Sequence, residues 1–360
     1  MKEPRTLKEV LRTYSMEGEL YERHEDQSLT CFACGHRCLI KEGRDGICRV
    51  RFNEGGTLFV PANYAAGLQC DPTEKKPFYH VFPGSLAVTF GMLGCDYHCS
   101  YCQNWLTSQA LRDERAVVSP QKVHADDLIS LGKKYRARLI VSSYNEPLIT
   151  SEWAVKIFKQ ARKEGFLTGY VSNGNATAEV LDYIRPYTDL YKIDLKSFDD
   201  KNYRKLGGVL ENVLDSIEMV YERGFWMEIV TLIVPGFNDS PSELKAIANF
   251  IFDISPDIPW HVTAFHQDYK MLTPQNTPAN TLLKAAEIGY ETGLHFVYAG
   301  NLPGTVSQYE NTYCPNCHEE LIVRFGFKIL QNRMDEDRCF ACGITLAGVW
   351  KNNQLSKNIN

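Results

Sequence analysis

Cysteine carries the chemical pattern of this chain. Of its twelve cysteines, eleven fall into three sets and only Cys70 stands alone. The middle set, Cys95, Cys99 and Cys102 in "GCDYHCSYCQNW", has C-x3-C-x2-C spacing. The C-terminal set is two C-x2-C pairs, "CPNC" (Cys314, Cys317) and "CFAC" (Cys339, Cys342), separated by 21 residues. Each pair can form a knuckle that gives two thiolates to a tetrahedral Zn2+, the pattern of a zinc ribbon. The N-terminal set, "CFACGHRCLIKEGRDGIC", places Cys31, Cys34, Cys38 and Cys48 within 18 residues. Zinc and a second iron–sulfur cluster both suit four thiolates so close together.

The middle set supplies only three thiolates, whereas a soft metal site usually takes four ligands. Three thiolates on one loop can hold three irons of a [4Fe–4S] cluster and leave the fourth open. The amine and carboxylate of a methionine end, as in S-adenosylmethionine, could chelate that iron. An electron from the reduced cluster could then break a carbon–sulfur bond and give a 5'-deoxyadenosyl radical. The competing reading is a zinc site that adds His98 to the three cysteines. Its ligands would be crowded within the tetrahedron.

Composition bounds the function. The chain has 360 residues, 44% of them apolar, enough for a large core with appendages. A net charge of −5 argues against a broad nucleic-acid footprint. The C-terminal ribbon, with Arg324, Lys328, Arg333 and Arg338 against five acidic residues, is poorly suited to phosphate. "MKEPRTLKEVLRTYS" has no apolar signal region and no run reaches membrane-spanning length, so neither secretion nor a membrane is expected. Cysteine sets in such a chain point to metals in a reducing, cytoplasmic compartment rather than to disulfides.

The elements that must position these groups form a regular pattern. Strand-like runs occur at 86–93, 137–144, 166–173, 190–196, 226–234 and 259–266, with amphipathic stretches between them. In "SEWAVKIFKQARKEG", Trp153, Ile157 and Ala161 recur on one helical face. In "GFNDSPSELKAIANFIF", Ser240 is the expected N-cap, Pro241 takes N1 and Glu243 completes a capping box. Six strands alternating with helices imply parallel β/α units, hence a barrel or partial barrel, with an open doubly wound sheet as the alternative. In barrels, chemistry sits at the C-terminal strand ends. There lie the three-cysteine loop, "YNEP" (144–147), "SNGN" (172–175) and "IDLK". Lys192, Asp194 and Lys196 share one face of their strand, which therefore cannot line a dry core. His266 is either another strand-end residue or a core histidine.

C-x3-C-x-aromatic-C, with Tyr101 as the aromatic, resembles the signature of the radical S-adenosylmethionine (radical SAM) superfamily. The likeness extends to its pyruvate formate-lyase-activating-enzyme-like branch and, within that, to the AmmeMemoRadiSam system radical SAM enzymes. It runs in order through "CGHRCLIKEGRDGICRVRFNEGGTLF", "DPTEKKPFYHVFPGS", "GCDYHCSYCQNW", "SSYNEP", "YKIDLKSF", "VTLIVPGFNDS", "HVTAFHQDYK" and "VYAGNLPG…TYCPNC", nearly the whole chain. One departure is Ala33-Cys34-Gly35, where the family pattern would have Leu-Cys-Pro.

The resemblance implies an α/β fold: a partial (β/α)6 barrel radical SAM core over 85–305, an N-terminal four-cysteine module over 1–84 and a C-terminal zinc-ribbon-like module over 306–360. It implies that Cys95, Cys99 and Cys102 hold the [4Fe–4S] cluster and that Glu146 receives the methionine ammonium. It places Tyr101 against adenine, Ser172 and Asn173 near the ribose or carboxylate, and Asp194 and Lys196 on the methionine part or ribose. It also names partners: AMMECR-like and Memo-like domain proteins and a low-potential electron donor. The substrate is left open between a protein or peptide and a small molecule. An iron–sulfur electron carrier and a glycyl-radical-enzyme activase proper are the alternatives, and a carrier would have no evident use for "YNEP" or "IDLK".

Overall fold

A computed structural model of the chain describes residues 6–351. All six expected strands are present, and the sheet has two more. They are β1 (Gly67–Pro72), β2 (Leu86–Gly91), β3 (Leu139–Ser142), β4 (Leu167–Ser172), β5 (Leu190–Asp194), β6 (Trp226–Ile233), β7 (Trp260–Ala264) and β8 (Val297–Gly300). Their spatial order is their chain order. Strands β2 to β8 are parallel, and β1 pairs antiparallel with β2. That pair straddles the expected module boundary at residue 84.

Sequential order has a consequence for layering. Crossovers of one hand, in one direction, put the connecting helices on one face of the sheet. These are α1 (Ala125–Tyr135), α2 (Ser151–Lys163), α3 (Ala178–Ile184), α4 (Asp200–Leu206), α5 (Leu210–Glu222), α6 (Pro241–Ile254) and α7 (Ala279–Thr292). Helix α2 buries Trp153, Ile157 and Ala161 in the main core, as their spacing requires. Helix α6 is capped by Ser240, whose side chain accepts from Glu243 N. The expected capping box is only half formed, because the Glu243 carboxylate instead accepts from Phe198 N (2.8 Å) and Ser197.

The other face of the sheet is filled from its N-terminal end. Phe78, Val81 and Val349 pack there against Ala87, Leu139, Val141 and Leu190. Beside them, buried Glu228 accepts from Tyr79 N (3.0 Å), His80 N (2.9 Å) and His261 Nε2 (2.7 Å). The plug thus draws on chain from both ends of the sequence and leaves the opposite, C-terminal strand ends open for chemistry.

Small antiparallel sheets build the two flanks. Residues 15–61 form two three-stranded sheets, and residues 312–332 form a third. The third has its own small core, in which Cys314 and Cys339 pack with Leu321, Ile322 and Leu346.

Candidate active site

The C-terminal ends of β2 to β5 converge on one cavity of ≈ 510 Å³, part of it open to solvent. Cys95, Cys99 and Cys102 line it from the loop after β2, and Glu146, Ser172, Asn173, Asp194 and Lys196 from the next three strand ends. Eight of the nine residues expected to bind cluster or cofactor therefore share one cavity. The ninth, Tyr101, does not line it; its ring is buried edge-on against Phe237, with centroids 5.8 Å apart. His266 is exposed and takes no part.

The three thiols suit a cluster better than one ion. Among the described residues, the only group of three or more candidate ligand atoms mutually within 4.8 Å is the C-terminal cysteine set. Cys95, Cys99 and Cys102 are therefore spread wider than one zinc would hold them, and His98 offers no fourth ligand. The His98 ring lies against Gly207, where an added Cβ would sit 2.9 Å from it. Burial pushes the Cys99 thiol up to about 12, although Lys196 pulls the other way. Burial likewise raises Cys95 and Cys102. Thiols so placed ionise only for a cation or metal cluster. Tyr97 N donates to Cys95 Sγ (3.4 Å), and Ser108 Oγ lies 3.2 Å from Cys102 Sγ.

Glu146 is buried at 2% exposure. Its Oε1 accepts from Ser172 Oγ (2.7 Å) and Leu148 N (3.1 Å), and its Oε2 accepts from Asn173 N (2.7 Å). It therefore also caps the short helical turn at Pro147–Thr150. A carboxylate has about four acceptor positions, so roughly one stays free for a ligand. Burial, then the charge of Asp96, pushes the carboxyl up to about 8.

On the facing strand, Asp194 is hydrogen-bonded by Lys192 and by Lys196 Nζ (3.1 Å). Burial opposes its ionisation, but the two lysines outweigh burial and hold it down to about 2. The triad carries one net positive charge opposite the Asp96–Glu146 acids. A ligand with an ammonium and a carboxylate would match that division.

Asp96 escaped the sequence reading. It is fully buried, and its carboxylate accepts from Asn173 Nδ2 (2.7 Å) and Asn175 Nδ2 (2.8 Å), tying the cysteine loop to "SNGN". Its position inside the C-x3-C loop was the available signal.

The two flanking cysteine sets differ. In the C-terminal set Cys314 and Cys342 sulfurs are 3.5 Å apart and Cys317 and Cys339 sulfurs 3.6 Å. Thiolates on one tetrahedral zinc with bonds of about 2.3 Å would be about 3.8 Å apart, so this set fits a single ion. In the N-terminal set no three sulfurs come that close. Cys31 Sγ accepts from Arg51 Nε (3.2 Å), and Cys38 Sγ from Ile47 N (3.5 Å). The Gly35 departure has a steric reason. Its N–H donates to Asn175 O (2.9 Å), and a Cβ there would lie 2.3 Å from Asn175 Oδ1. Proline would lose that donor and add atoms where none fit.

The Radical SAM superfamily model matches residues 90–251, the segment that contains all four strand-end motifs. An uncharacterized protein of Methanocaldococcus jannaschii is 34% identical over 331 residues, covering 91% of this chain and 97% of its own. The chain belongs to the radical SAM superfamily. It is a radical SAM enzyme, and its chemistry is the reductive cleavage of S-adenosylmethionine at a [4Fe–4S] cluster. The pyruvate formate-lyase 1-activating enzyme of Escherichia coli K12 is 26% identical to this radical SAM enzyme over 181 residues, 48% of this chain and 70% of the relative. A domain of a pyruvate-formate lyase-activating enzyme from Bacteroides vulgatus is 23% identical to it. That match covers 45% of this chain and 98% of the other, at a TM-score of 0.39.

Proposed function

We propose that this radical SAM enzyme belongs to the AmmeMemoRadiSam system and abstracts hydrogen from a protein, a peptide or a small molecule. AMMECR-like and Memo-like domain proteins would act beside it, and a low-potential donor would supply electrons. One observation carries the reading: three wide-set thiols, the Glu146 carboxyl and the Asp194–Lys196 pair share one cavity. Motif likeness along nearly the whole chain supports the narrower family assignment. The sequential parallel strand order supports a partial (β/α)6 barrel, because helices all on one face leave the other to curl around a ligand.

When bound, the cluster and S-adenosylmethionine supply the electron and the 5'-deoxyadenosyl radical. The chain's own residues hold and orient. Cys95, Cys99 and Cys102 would ligate three irons. Glu146 would accept the methionine ammonium on its free lone pair, and Lys196, steadied by Asp194, would meet the carboxylate. Ser172 and Asn173, already bonded to Glu146, would fix its position beside the ribose, and Tyr101 would back the adenine from behind the loop. Trp105, just past the cysteine loop, stacks on Tyr269, centroids 5.2 Å apart, and does not itself line the cavity.

Cys314, Cys317, Cys339 and Cys342 would hold a structural zinc, and the N-terminal four cysteines zinc or an iron–sulfur cluster. A cytoplasmic setting is proposed from twelve unpaired thiols. Among the described residues, no helix is long and apolar enough to cross a membrane. The test is anaerobic reconstitution with reductant, S-adenosylmethionine and the candidate partner proteins, followed by mass spectrometry of every component. Mass change in a partner or its bound small molecule, matched by 5'-deoxyadenosine, is the expected result. If the partners change nothing and alter no rate, the system assignment fails.

A further inference from the structure

The N-terminal cysteine set is one of two four-thiol groups that the reaction above does not use, and the one whose sulfurs do not fit a single ion. Three of its thiols are buried, with Cys31 and Cys34 at 6% exposure and Cys48 at 4%, and Cys38 is half-buried. No three of its sulfurs lie within 4.8 Å of one another, unlike the C-terminal set. Three buried cysteines and one half-buried, held farther apart than one zinc allows, have the layout of a cluster site.

Hydrogen bonds to sulfur and a buried cation strengthen this reading. Arg51, 1% exposed, donates to Cys31 Sγ and also binds Glu152 on α2 through two bonds of 2.7 Å. Donors to ligand sulfur and nearby charge are the means by which a protein sets a cluster's potential.

Placement indicates a role. Gly94, directly before Cys95, lies against the N-terminal set: a Cβ on it would sit 3.0 Å from the Cys48 carbonyl oxygen. On a second route, Gly35 N donates to Asn175 O (2.9 Å), and Asn175 Nδ2 donates to Asp96 (2.8 Å), the neighbour of Cys95. Two short backbone and hydrogen-bond paths thus join the cysteine sets through buried residues.

We propose that Cys31, Cys34, Cys38 and Cys48 hold an auxiliary [4Fe–4S] cluster that relays electrons to the cluster on Cys95, Cys99 and Cys102. The acceptor in this proposal rests on the radical SAM reading. A low-potential one-electron protein donor would reduce the auxiliary cluster from the 2+ to the 1+ state. Its electron would then pass to the second cluster, reducing that one to 1+ and returning the auxiliary cluster to 2+. No bond forms or breaks in the relay, and no proton moves.

The test uses the full chain, purified anaerobically and reconstituted. Elemental analysis should find about eight irons and one zinc per chain, four irons for each cluster. About four irons with two zincs would overturn the proposal without any variant being made. After full reduction and removal of reductant, S-adenosylmethionine should yield about two 5'-deoxyadenosines per chain, one electron from each cluster. Cys48→Ser should lower iron to about four and the yield to about one, yet leave the EPR response to S-adenosylmethionine in place. A yield of about one from the eight-iron protein would refute the relay. If the EPR signal ignores S-adenosylmethionine while iron stands at about eight, the active-site assignment fails and the auxiliary site does not.

Discussion

Glu146→Gln separates cofactor binding from helix capping, because the two roles predict different losses. In E146Q the side-chain oxygen can keep the Asn173 N–H, now 2.7 Å from Oε2. The amide nitrogen then faces the Ser172 hydroxyl, which can rotate to accept. The bond lost is the one from Leu148 N, at 3.1 Å, and its loss costs about 1 kcal/mol. Little charge is removed by the substitution itself, because burial and Asp96 hold the carboxyl up at about 8, leaving it largely protonated near neutral pH.

With S-adenosylmethionine bound, the balance shifts. The methionine ammonium favours the ionised carboxylate, and a charge-assisted bond of this kind is worth about 1.5–3 kcal/mol. E146Q should therefore weaken cofactor binding by roughly ten- to a hundred-fold in anaerobic titration calorimetry, with iron content unchanged. The pH dependence gives a second readout. A folded-state value raised from 4.5 to about 8 means the folded protein holds the proton longer, so Glu146 lowers stability as pH rises through that window. The variant should lack that slope. Unchanged affinity alongside lost stability would refute cofactor binding and leave only the cap.

Asp194→Asn should destabilise the fold by about 3 kcal/mol in denaturant melts, because Lys192 and Lys196 both lose the carboxylate they pair with in a largely buried triad. In the unaltered protein the Asp194 contribution is complete above about 3.8 and disappears as pH falls through about 2, so it shows on the acid limb of a stability profile. Gly35→Ala must displace Asn175, since its Cβ would stand 2.3 Å from Oδ1. It should cost about 1–3 kcal/mol and lower iron incorporation, read by thermal melts and elemental analysis. Cys339→Ser should remove one zinc per chain and loosen residues 312–346 in hydrogen exchange, with iron retained, since a short four-cysteine module draws much of its folding energy from the metal.

Much of this organisation was legible in the sequence, for identifiable reasons. Six strands were found because parallel strands buried on both faces read as continuous apolar runs. Strand β8, "VYAG", has only four residues, and β1, with Gly67 and Cys70, has mixed burial; neither gives a clear period. Spacing brought Cys95, Cys99 and Cys102 together because ligands on one loop are close in space whatever the fold. Glu146, Ser172, Asp194 and Lys196 were reached through the strand-end rule and a family likeness. Asp96 was missed because its partners, Asn173 and Asn175, are 77 and 79 residues away. The half-formed box at Ser240 has the same origin: a distant pair, Ser197 and Phe198, takes the carboxylate that local pattern gave to the cap.

The central claim is that Cys95, Cys99 and Cys102 hold a cluster with one iron open to S-adenosylmethionine. EPR spectroscopy of the anaerobically reduced protein, before and after adding S-adenosylmethionine, tests it most directly. The account predicts a changed signal, formation of 5'-deoxyadenosine, and loss of both in Cys95→Ala. An unchanged spectrum, or a Cys95→Ala protein that keeps the signal change and the cleavage, would contradict it.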